Sequence, residues 1–318
     1  MKHIASIFAV IVAATTSVSA AETRLSIAGP SGTLQGTLAA PDGGPKAPVA
    51  VIIPGSGPTD RDGNSPLGVI AGTYRLLAEA LAAKSVSTIR FDKRGMFGSS
   101  AASADADHVR MTDLADDVRA WGREAQKRSS AQCAWLIGHS EGSLVGLITA
   151  QQREGICGLI LVAGAGRKMG EILREQFKAD PASAPILAQV LAAISELEAG
   201  RPVDVSSMHP ALTSLFPPRV QGFLIDQMSY DPPQLLARYA GPVLVLQGTT
   251  DLQISMQDAQ RLAGARPGVT MVTLEGVNHV LKIAPADRAA NAATYGNSAL
   301  PIAPSLVEAI MAFLAQHR

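Results

Sequence analysis

The apolar residues of this chain fall into short unbroken runs separated by longer amphipathic stretches. Pro48–Ile53 and Val243–Leu246 are examples, because every position in these runs is apolar. A strand buried on both faces has this pattern, whereas a strand with one exposed face would alternate. The amphipathic stretches predict helices, and strands separated by helices predict a mostly parallel sheet that helices cover on both sides.

The predicted elements are short and follow one another closely. The predicted strands are a leading hairpin of Leu25–Ile27 and Thr33–Ala39, then Pro48–Ile53, Val86–Phe91, Ala134–Ile137, Leu159–Val162, Val243–Leu246 and Thr270–Leu274. The predicted helices are Tyr74–Lys84, Thr112–Gln126, Ser143–Arg153, Ser255–Leu262 and Pro304–His317. Thr112 is expected to cap its helix, because its hydroxyl can accept a hydrogen bond from a free amide of the first turn.

One segment, residues 166–231, interrupts this alternation with helical patterns only. The helices predicted there are Met169–Ala179, Ile186–Ala199 and Pro217–Met228. A helical insertion between two parallel strands predicts a cap over the strand ends, where ligands bind. We therefore predict a core of residues 21–165 and 232–318 and a helical cap of residues 166–231. An apolar pocket is expected under the cap, lined by Leu173, Phe177, Leu215, Phe216 and Phe223.

The first twenty residues have the pattern of a signal peptide. Lys2 and His3 precede the apolar run Ile4–Thr16, and Val18–Ala20 supplies small residues at a cleavage position. The run is shorter than the roughly 20 residues that a membrane span needs. We expect residues 1–20 to be cleaved, leaving a periplasmic or secreted protein without stable membrane insertion.

Charge and composition narrow the range of partners. The chain has 27 Lys+Arg and 27 Asp+Glu, which gives a formal net charge of zero. Without a basic run or a basic amphipathic helix, no nucleic-acid partner is expected. No metal site and no cofactor are expected either, and the oligomeric state stays open.

The two cysteines, Cys133 and Cys157, each stand at the start of a predicted strand. Neighbouring strands lie about 4.8 Å apart, so in an oxidising compartment the pair could form a disulfide. A shift of one residue would direct the two side chains to opposite faces of the sheet. The alternative is that both are small buried hydrophobic residues. The sequence leaves both interpretations open.

The strongest chemical signal is Gly138-His139-Ser140-Glu141-Gly142, which matches G-x-S-x-G. It follows a predicted strand and leads directly into a predicted helix, as a nucleophile elbow requires. A side chain at either glycine would collide with the backbone of so sharp a turn. The pattern predicts Ser140 as a nucleophile, whereas the simpler alternative is a serine that only caps the helix.

A serine hydroxyl needs a base to become nucleophilic, and the base needs an acid to orient it. His279 follows the strand Thr270–Leu274, and Asp251 follows the strand Val243–Leu246. Their order after Ser140 is the order that this kind of elbow uses. We predict His279 as the base and Asp251 as its orienting acid. A solvated loop histidine and a turn aspartate are the alternatives.

An oxyanion hole should accompany these residues. One donor is expected to be the backbone N–H of Glu141, directly after the nucleophile. The other should come from the glycine-rich loop 54–64, where Pro58 has no N–H to donate. Ser56 and Gly57 remain as candidates, and Ser56 is preferred.

These motifs together resemble serine esterases of the α/β-hydrolase superfamily. The matching stretches are PGSGPTDRDGN, FDKRGMFGSS, IGHSEGS, QGTTDLQI and EGVNHVLK, which span about Val51 to Lys282. The first and last are similar to a subgroup of bacterial carboxylesterases that share this loop and carry a helical cap. The resemblance implies hydrolysis of carboxylic esters without a cofactor. Unlike better-known lipases, this chain has Pro54 where a histidine would open the oxyanion loop.

The expected reaction is hydrolysis of short to medium esters, a small-molecule substrate, through an acyl-enzyme. The alternatives on the same fold are a peptidase or amidase, a thioesterase and an acyltransferase. An exopeptidase would need an acidic group for the substrate amine, for which Glu171, Glu175, Glu196 and Glu198 are candidates. A non-catalytic binding protein is the alternative from another class.

Overall fold

The computed structural model describes residues 21–45, 48–105 and 108–317. The strands are β1 Ala21–Ala28, β2 Thr33–Ala40, β3 Val49–Ile53, β4 Asn64–Ser65, β5 Val69–Ile70, β6 Ser87–Phe91, β7 Ala134–His139, β8 Ile156–Val162, β9 Val243–Gly248 and β10 Val269–Leu274. The helices are α1 Thr73–Ala82, α2 Met111–Ser129, α3 Glu141–Thr149, α4 Met169–Ala179, α5 Leu187–Glu198, α6 Pro210–Leu215, α7 Pro218–Met228, α8 Pro232–Arg238, α9 Met256–Ala263, α10 Arg288–Ala293 and α11 Pro304–Gln316.

Eight of these strands form one sheet in the order β1-β2-β6-β3-β7-β8-β9-β10. The strands from β6 to β10 run parallel, whereas β1 and β2 form an antiparallel hairpin at one edge. Every residue of β3, β6, β7 and β9 is buried. The unbroken apolar runs of the sequence therefore occupy the middle of the sheet, and the predicted mostly parallel sheet is confirmed.

Two hydrophobic cores lie on the two faces of the sheet. On one face, Trp121 of α2 and Leu147 of α3 are fully buried against the strands. On the other face, Leu77 of α1 and Ile310 of α11 are equally buried. Helix α8 belongs with the first core, since its Leu236 is buried there.

The helices from α4 to α7, which we call the helical segment, connect β8 to the rest of the chain. They have a hydrophobic core of their own, built around Val190, Ile194 and Leu212. The structure therefore contains three separate apolar clusters among its described residues. The helices of this insertion bury their apolar faces mainly against one another, so they do not depend on the sheet to cover those faces.

Several elements were not predicted, and each lacks the pattern that prediction uses. Strands β4 and β5 contain two residues each, too few for any periodicity. Helices α6, α8 and α10 contain six or seven residues. The expected cap at Thr112 is wrong: Arg110 is the N-cap, and the Asp113 carboxylate accepts the Arg110 amide at 2.9 Å.

Cys133 and Cys157 form a disulfide with their Cα atoms 5.1 Å apart. The β7–β8 register shifts between Ala134 and Trp135, so that Ala134 pairs with Ile156 but Trp135 pairs with Gly158. Cys157 is the extra residue of this irregularity. The bond lies at the ends of the strands opposite to Ser140.

The predicted signal peptide, residues 1–20, lies outside the described residues. Among the described helices, none is both long and apolar enough to span a bilayer.

Candidate active site

Ser140 occupies the turn between β7 and α3 in a conformation that L-residues rarely adopt. Its φ is 54° and its ψ is −121°, and its amide donates to the Val162 carbonyl at 2.9 Å. A Cβ at Gly138 would collide with the carbonyl of Gly142, and one at Gly142 would collide with the carbonyl of Ile53. The two glycines are thus required by close backbone packing, and the surroundings hold the strained serine in place.

His279 and Asp251 are brought into direct contact. The Nδ1 atom of His279 lies 2.9 Å from Oδ2 and 3.1 Å from Oδ1 of Asp251. A carboxylate accepts hydrogen bonds, so the His279 proton resides on Nδ1 and the Nε2 atom is left as an acceptor. His279 and Ser140 line the same cavity. A base with this tautomer is suited to take a proton from a serine hydroxyl.

The Asp251 carboxylate is held in its ionised form. Burial raises its pKa, but the charge of His279, its hydrogen bond and the amides of Ile254 and Gln253 together lower the pKa below the ordinary value. The two amides donate to Oδ1 at 3.0 and 2.7 Å, and Gln247 Nε2 donates to Oδ2 at 3.2 Å. These donors also fix the orientation of the carboxylate.

The two predicted oxyanion amides lie at the cavity that contains Ser140 and Glu141. Gly55 is ruled out as a donor because its amide already donates to Tyr74 Oη at 2.7 Å. Glu141 is the first residue of α3, so its amide has no partner within the helix. The Ser56 amide donates to no residue among those the structure describes. Both predicted N–H groups are therefore available to a ligand.

His139 and Tyr74 connect the loop 54–64 to the loop of His279. The His139 Nε2 atom lies 2.8 Å from the His279 carbonyl oxygen, which can only accept, so Nε2 carries the proton. The Tyr74 hydroxyl, 2.9 Å from Nδ1, donates to that atom and accepts the Gly55 amide. Burial, and then repulsion from His279, lower the pKa of His139 to about 3, while burial raises the pKa of Tyr74. In this series of hydrogen bonds, from the Gly55 amide through Tyr74 and His139 to the His279 carbonyl, each donor has a single defined acceptor.

Sequence reasoning missed this connection. His139 adjoins Ser140 in the motif, and Tyr74 begins an amphipathic helix, but their contact spans 65 positions along the chain. No periodicity or spacing indicates such a pair. An alignment of related chains, by revealing that the two positions vary together, is the kind of signal that could have found it.

A second buried connection runs through the side chain of Glu141. Lys93 Nζ donates to the Gly55 carbonyl at 2.7 Å and to Glu141 Oε1 at 3.3 Å. Gln227 of α7 donates to Glu141 Oε2 at 3.0 Å. The side chains of Glu141, Lys93 and Gln227 are all buried. The residue after Ser140 thus joins the loop 54–64 to the helical segment.

Charged residues of the loops after β3 and β6 pair with one another or with nearby elements. Arg61 binds Asp92 at 2.7 Å. Arg94 instead binds Asp117 of α2, at 2.7 Å. These ion pairs hold the loops in place, and we assign them no part in the reaction.

Two cavities open on the two sides of Ser140. The inner cavity, of about 140 Å³, lies under the helical segment and is lined in part by Ile172 and Leu173. The outer cavity, of about 250 Å³, lies between the β4–β5 hairpin and the His279 loop.

The apolar lining predicted for the cap is largely wrong. Of the five predicted residues, only Leu173 lines the inner cavity. Phe216 is buried in the core of the helical segment, Phe177 packs against that core, and Leu215 is 38% exposed. Phe223 packs on the core of the sheet instead. The apolar faces of these short helices are used for packing, which pattern alone cannot distinguish from lining a pocket.

The four acidic residues considered for binding a substrate amine lie outside both cavities. Glu175 pairs with Arg167, Glu198 pairs with Arg174 and Glu196 pairs with Arg201. The carboxylate that does line the inner cavity is that of Glu141, which Lys93 already neutralises.

Comparison with known proteins supports the same reading of the fold. Residues 50–292 match the alpha/beta hydrolase family. The chain is 22% identical over 255 residues to Esterase EstD of Thermotoga maritima, which covers 78% of this chain and 58% of that protein. The chain therefore spans less than two thirds of the length of this relative.

Solved structures share the fold at low identity. Est1E from Butyrivibrio proteoclasticus has a TM-score of 0.58 and 19% identity, over 92% of this chain and 99% of that chain. The proline iminopeptidase of Mycobacterium smegmatis also has a TM-score of 0.58, with 15% identity over 93% and 98% of the two chains. At such identities the likeness shows the fold alone.

Proposed function

Because the chain belongs to the alpha/beta hydrolase family, we propose that it hydrolyses carboxylic esters through Ser140, His279 and Asp251. The observation that carries this proposal is the state of His279. Its Nδ1 atom lies 2.9 Å from Asp251 Oδ2, so the Nδ1 proton is directed to the carboxylate and Nε2 is left as the acceptor. The imidazole ring lines the same cavity as Ser140. A serine beside such an imidazole is the arrangement that acyl transfer requires.

The reaction has two steps. In the first, Ser140 Oγ attacks the ester carbonyl while His279 Nε2 takes its proton and passes it to the departing alcohol. In the second, water gives a proton to His279 and attacks the acyl-enzyme, and Ser140 recovers the proton. Asp251 keeps the imidazole in one tautomer and stabilises its charged form.

The negative charge that develops on the carbonyl oxygen is stabilised by backbone amides. We assign the Glu141 amide, at the N-terminus of α3, and the Ser56 amide as the donors. The buried Lys93 holds the Ser56 loop through the Gly55 carbonyl at 2.7 Å. A fixed donor pair loses little free energy to reorganisation when the charge forms.

Esters are favoured over peptides by the charges around Ser140. An aminopeptidase binds a free amine, which calls for an unpaired carboxylate, and Glu141 in the inner cavity is paired with Lys93 at 3.3 Å. EstD is named an esterase, which supports the same choice. The proline iminopeptidase fold neighbour makes peptide hydrolysis the alternative to exclude by assay.

We propose further that the chain belongs to the carboxylesterase subgroup with the PGSGPTDRDGN loop and that residues 166–231 act as its cap. We also propose that residues 1–20 direct export and are removed. The Cys133–Cys157 disulfide supports an oxidising compartment. Fractionation of the native host followed by N-terminal sequencing tests the export, and a mature chain that begins at residue 21 or 22 is expected.

The test of the reaction compares the wild-type protein with Ser140→Ala on nitrophenyl esters and on aminoacyl nitroanilides. We expect ester turnover that the substitution abolishes, and no anilide turnover. A fluorophosphonate probe should label the wild-type protein alone. Anilide turnover would favour the peptidase, and unchanged turnover in Ser140→Ala would contradict the assignment of the nucleophile.

A further inference from the structure

The two cavities beside Ser140 differ in which catalytic groups they contain. Ser56, Ser140 and Gln253 line both cavities and therefore mark their boundary. Glu141 lines the inner cavity, and His279 lines the outer cavity. The reacting carbon of a substrate bound to Ser140 would lie at this boundary.

We propose that the inner cavity binds the acyl group of the ester and the outer cavity binds its alcohol group. This inference rests on the proposed function and adds the substrate class to it. The substrates are esters of a short acyl group with a larger alcohol.

The assignment follows from the tetrahedral intermediate. Its carbon carries four groups: Ser140 Oγ, the oxyanion, the acyl chain and the alkoxy oxygen. The alkoxy oxygen must receive the proton from His279, so it lies on the side of the outer cavity. The oxyanion is directed to the Ser56 and Glu141 amides. The direction that remains for the acyl chain leads into the inner cavity.

The order of release fits the same arrangement. When the bond from the carbon to the alkoxy oxygen breaks, the alcohol leaves with the proton from His279 and vacates the outer cavity. The edge of this cavity is open, since Leu67 at its wall is 79% exposed. Water can then reach His279 from the same side, while the acyl chain stays in the inner cavity until the bond to Ser140 Oγ breaks.

The volumes set the size of each group. The inner cavity, of about 140 Å³, is the smaller of the two and takes the acyl group. Its wall includes the apolar side chains of Leu144, Ile172 and Leu173. The outer cavity, of about 250 Å³, is the larger of the two and takes the alcohol group. Both walls mix polar and apolar side chains, since Gln176 and Gln227 line the inner cavity and Thr59 and Ser65 line the outer one. Size rather than polarity therefore distinguishes the two groups.

The test uses two series of esters. One keeps nitrophenol as the alcohol and lengthens the acyl group from acetyl to octanoyl. The other keeps acetyl and changes the alcohol from methyl to butyl, benzyl and naphthylmethyl. For the wild-type protein, we expect kcat/KM to fall steeply as the acyl group lengthens towards octanoyl and to hold or rise from methyl to benzyl.

Two variants then separate the cavities. Leu173→Ala enlarges the inner cavity, and we expect the fall in kcat/KM to move to acyl groups about two methylenes longer while the order of the alcohols stays the same. Val69→Phe narrows the outer cavity and should lower the ratio of benzyl to methyl acetate turnover about tenfold, with the order of acyl groups unchanged. Leu215→Ala, which changes an exposed residue outside both cavities, is the matched control.

Leu67→Ala guards against misfolding, because this side chain is 79% exposed and packs little. It should weaken turnover of the larger alcohols and leave the order of the acyl groups unchanged. A crossed result, with Leu173→Ala changing the alcohol series or Val69→Phe the acyl series, would overturn the assignment. So would no change in either series. A wild-type protein that turns over no ester and is not labelled by a fluorophosphonate would contradict the proposed function itself.

Discussion

The loops at the ends of β3, β7 and β10 and the helical segment meet at Ser140, but they are held by different means. The loops are held by buried hydrogen bonds, each with a defined donor and acceptor, such as those of His139 and Tyr74. The helical segment has an apolar core of its own, and several of its ion pairs are exposed, such as Arg201 with Glu196.

The segment is attached to the rest of the molecule by Phe223, which packs on the core of the sheet, and by polar contacts. Gln227 donates to Glu141 at 3.0 Å and Asp226 accepts the Met111 amide at 2.7 Å, while Arg167, just before α4, binds Asp258 at 2.8 Å. Directional bonds fix the atoms that react, whereas apolar packing fixes only a volume. We therefore expect substitutions in the loops to lower kcat, and substitutions where the helical segment contacts the site, as at Gln227, to act on KM and on substrate choice.

The largest effect on kcat is expected at Asp251, whose carboxylate orients His279. Asp251→Asn keeps the shape of the side chain but can present an amide to His279 Nδ1, which favours the wrong tautomer. We expect kcat for an ester to fall about 10⁴-fold, or about 5.5 kcal/mol, with little change in KM. Arg201→Ala, in the helical segment, should leave both constants unchanged. A fall of less than tenfold in Asp251→Asn would argue against this acid.

The second prediction concerns stability against acid. Burial and repulsion from His279 lower the pKa of His139 to about 3 in the folded protein, against about 6.5 when unfolded. Between these two pKa values the unfolded chain binds more protons than the folded protein. The stability that depends on neutral His139 is therefore fully present above about pH 6.5 and is lost as the pH falls. The free energy of unfolding should fall by about 1.4 kcal/mol for each pH unit from pH 6 to pH 4.

Urea denaturation at several pH values measures this dependence. In His139→Gln the contribution of the imidazole is absent, so a shallower dependence is expected over the same range. His108→Gln is the control, because His108 is exposed and pairs only locally with Asp105. Equal slopes in the wild-type protein and His139→Gln would refute the assignment.

The third prediction removes the hydroxyl that joins the two loops. Tyr74→Phe leaves the Gly55 amide and His139 Nδ1 without a partner. We expect kcat to fall about 10- to 100-fold, because one oxyanion donor is no longer held in position and such donors contribute at most about 10³-fold. Steady-state kinetics would detect the fall, with KM nearly unchanged. A transition-state analogue should lose affinity by the same factor as kcat/KM, which a merely loosened fold would not produce.

The smallest effect is expected at the fastening of the helical segment. Gln227→Met removes the donor to Glu141 while keeping a similar volume. We expect KM to rise about threefold, a loss of under 1 kcal/mol, and kcat to change by less than that. Gln234→Met on the exposed part of α8 is the matched control. If kcat fell by more than KM rose, the segment would be acting on the reacting atoms and the comparison would fail.

Much of the fold was predictable because it depends on local pattern. The predicted runs within β3, β7 and β9 are apolar at every position, and α1 and α2 each bury one face. The short elements were missed, since two residues of β4 or six of α10 carry no period. The lining of the inner cavity was also missed, because an apolar residue such as Phe216 can pack into a core as easily as line a pocket.

The sequence by itself determined which residues are candidates for the chemistry. A serine between two glycines, with an aspartate and a histidine after later strands, follows from the order of the chain. Loops at the carboxyl ends of parallel strands converge at one edge of the sheet, so distance along the chain does not matter for them.

Only the tertiary structure decided how these candidates are held and what surrounds them. His139 contacts the His279 carbonyl across 140 positions of sequence, and Gln227 reaches Glu141 across 86. The tertiary structure also places two cavities beside Ser140, and His279 lines one of them. Such contacts depend on the relative placement of side chains from separate elements. A hydrogen bond changes strength within a few tenths of an ångström, a precision that no local pattern in the sequence encodes.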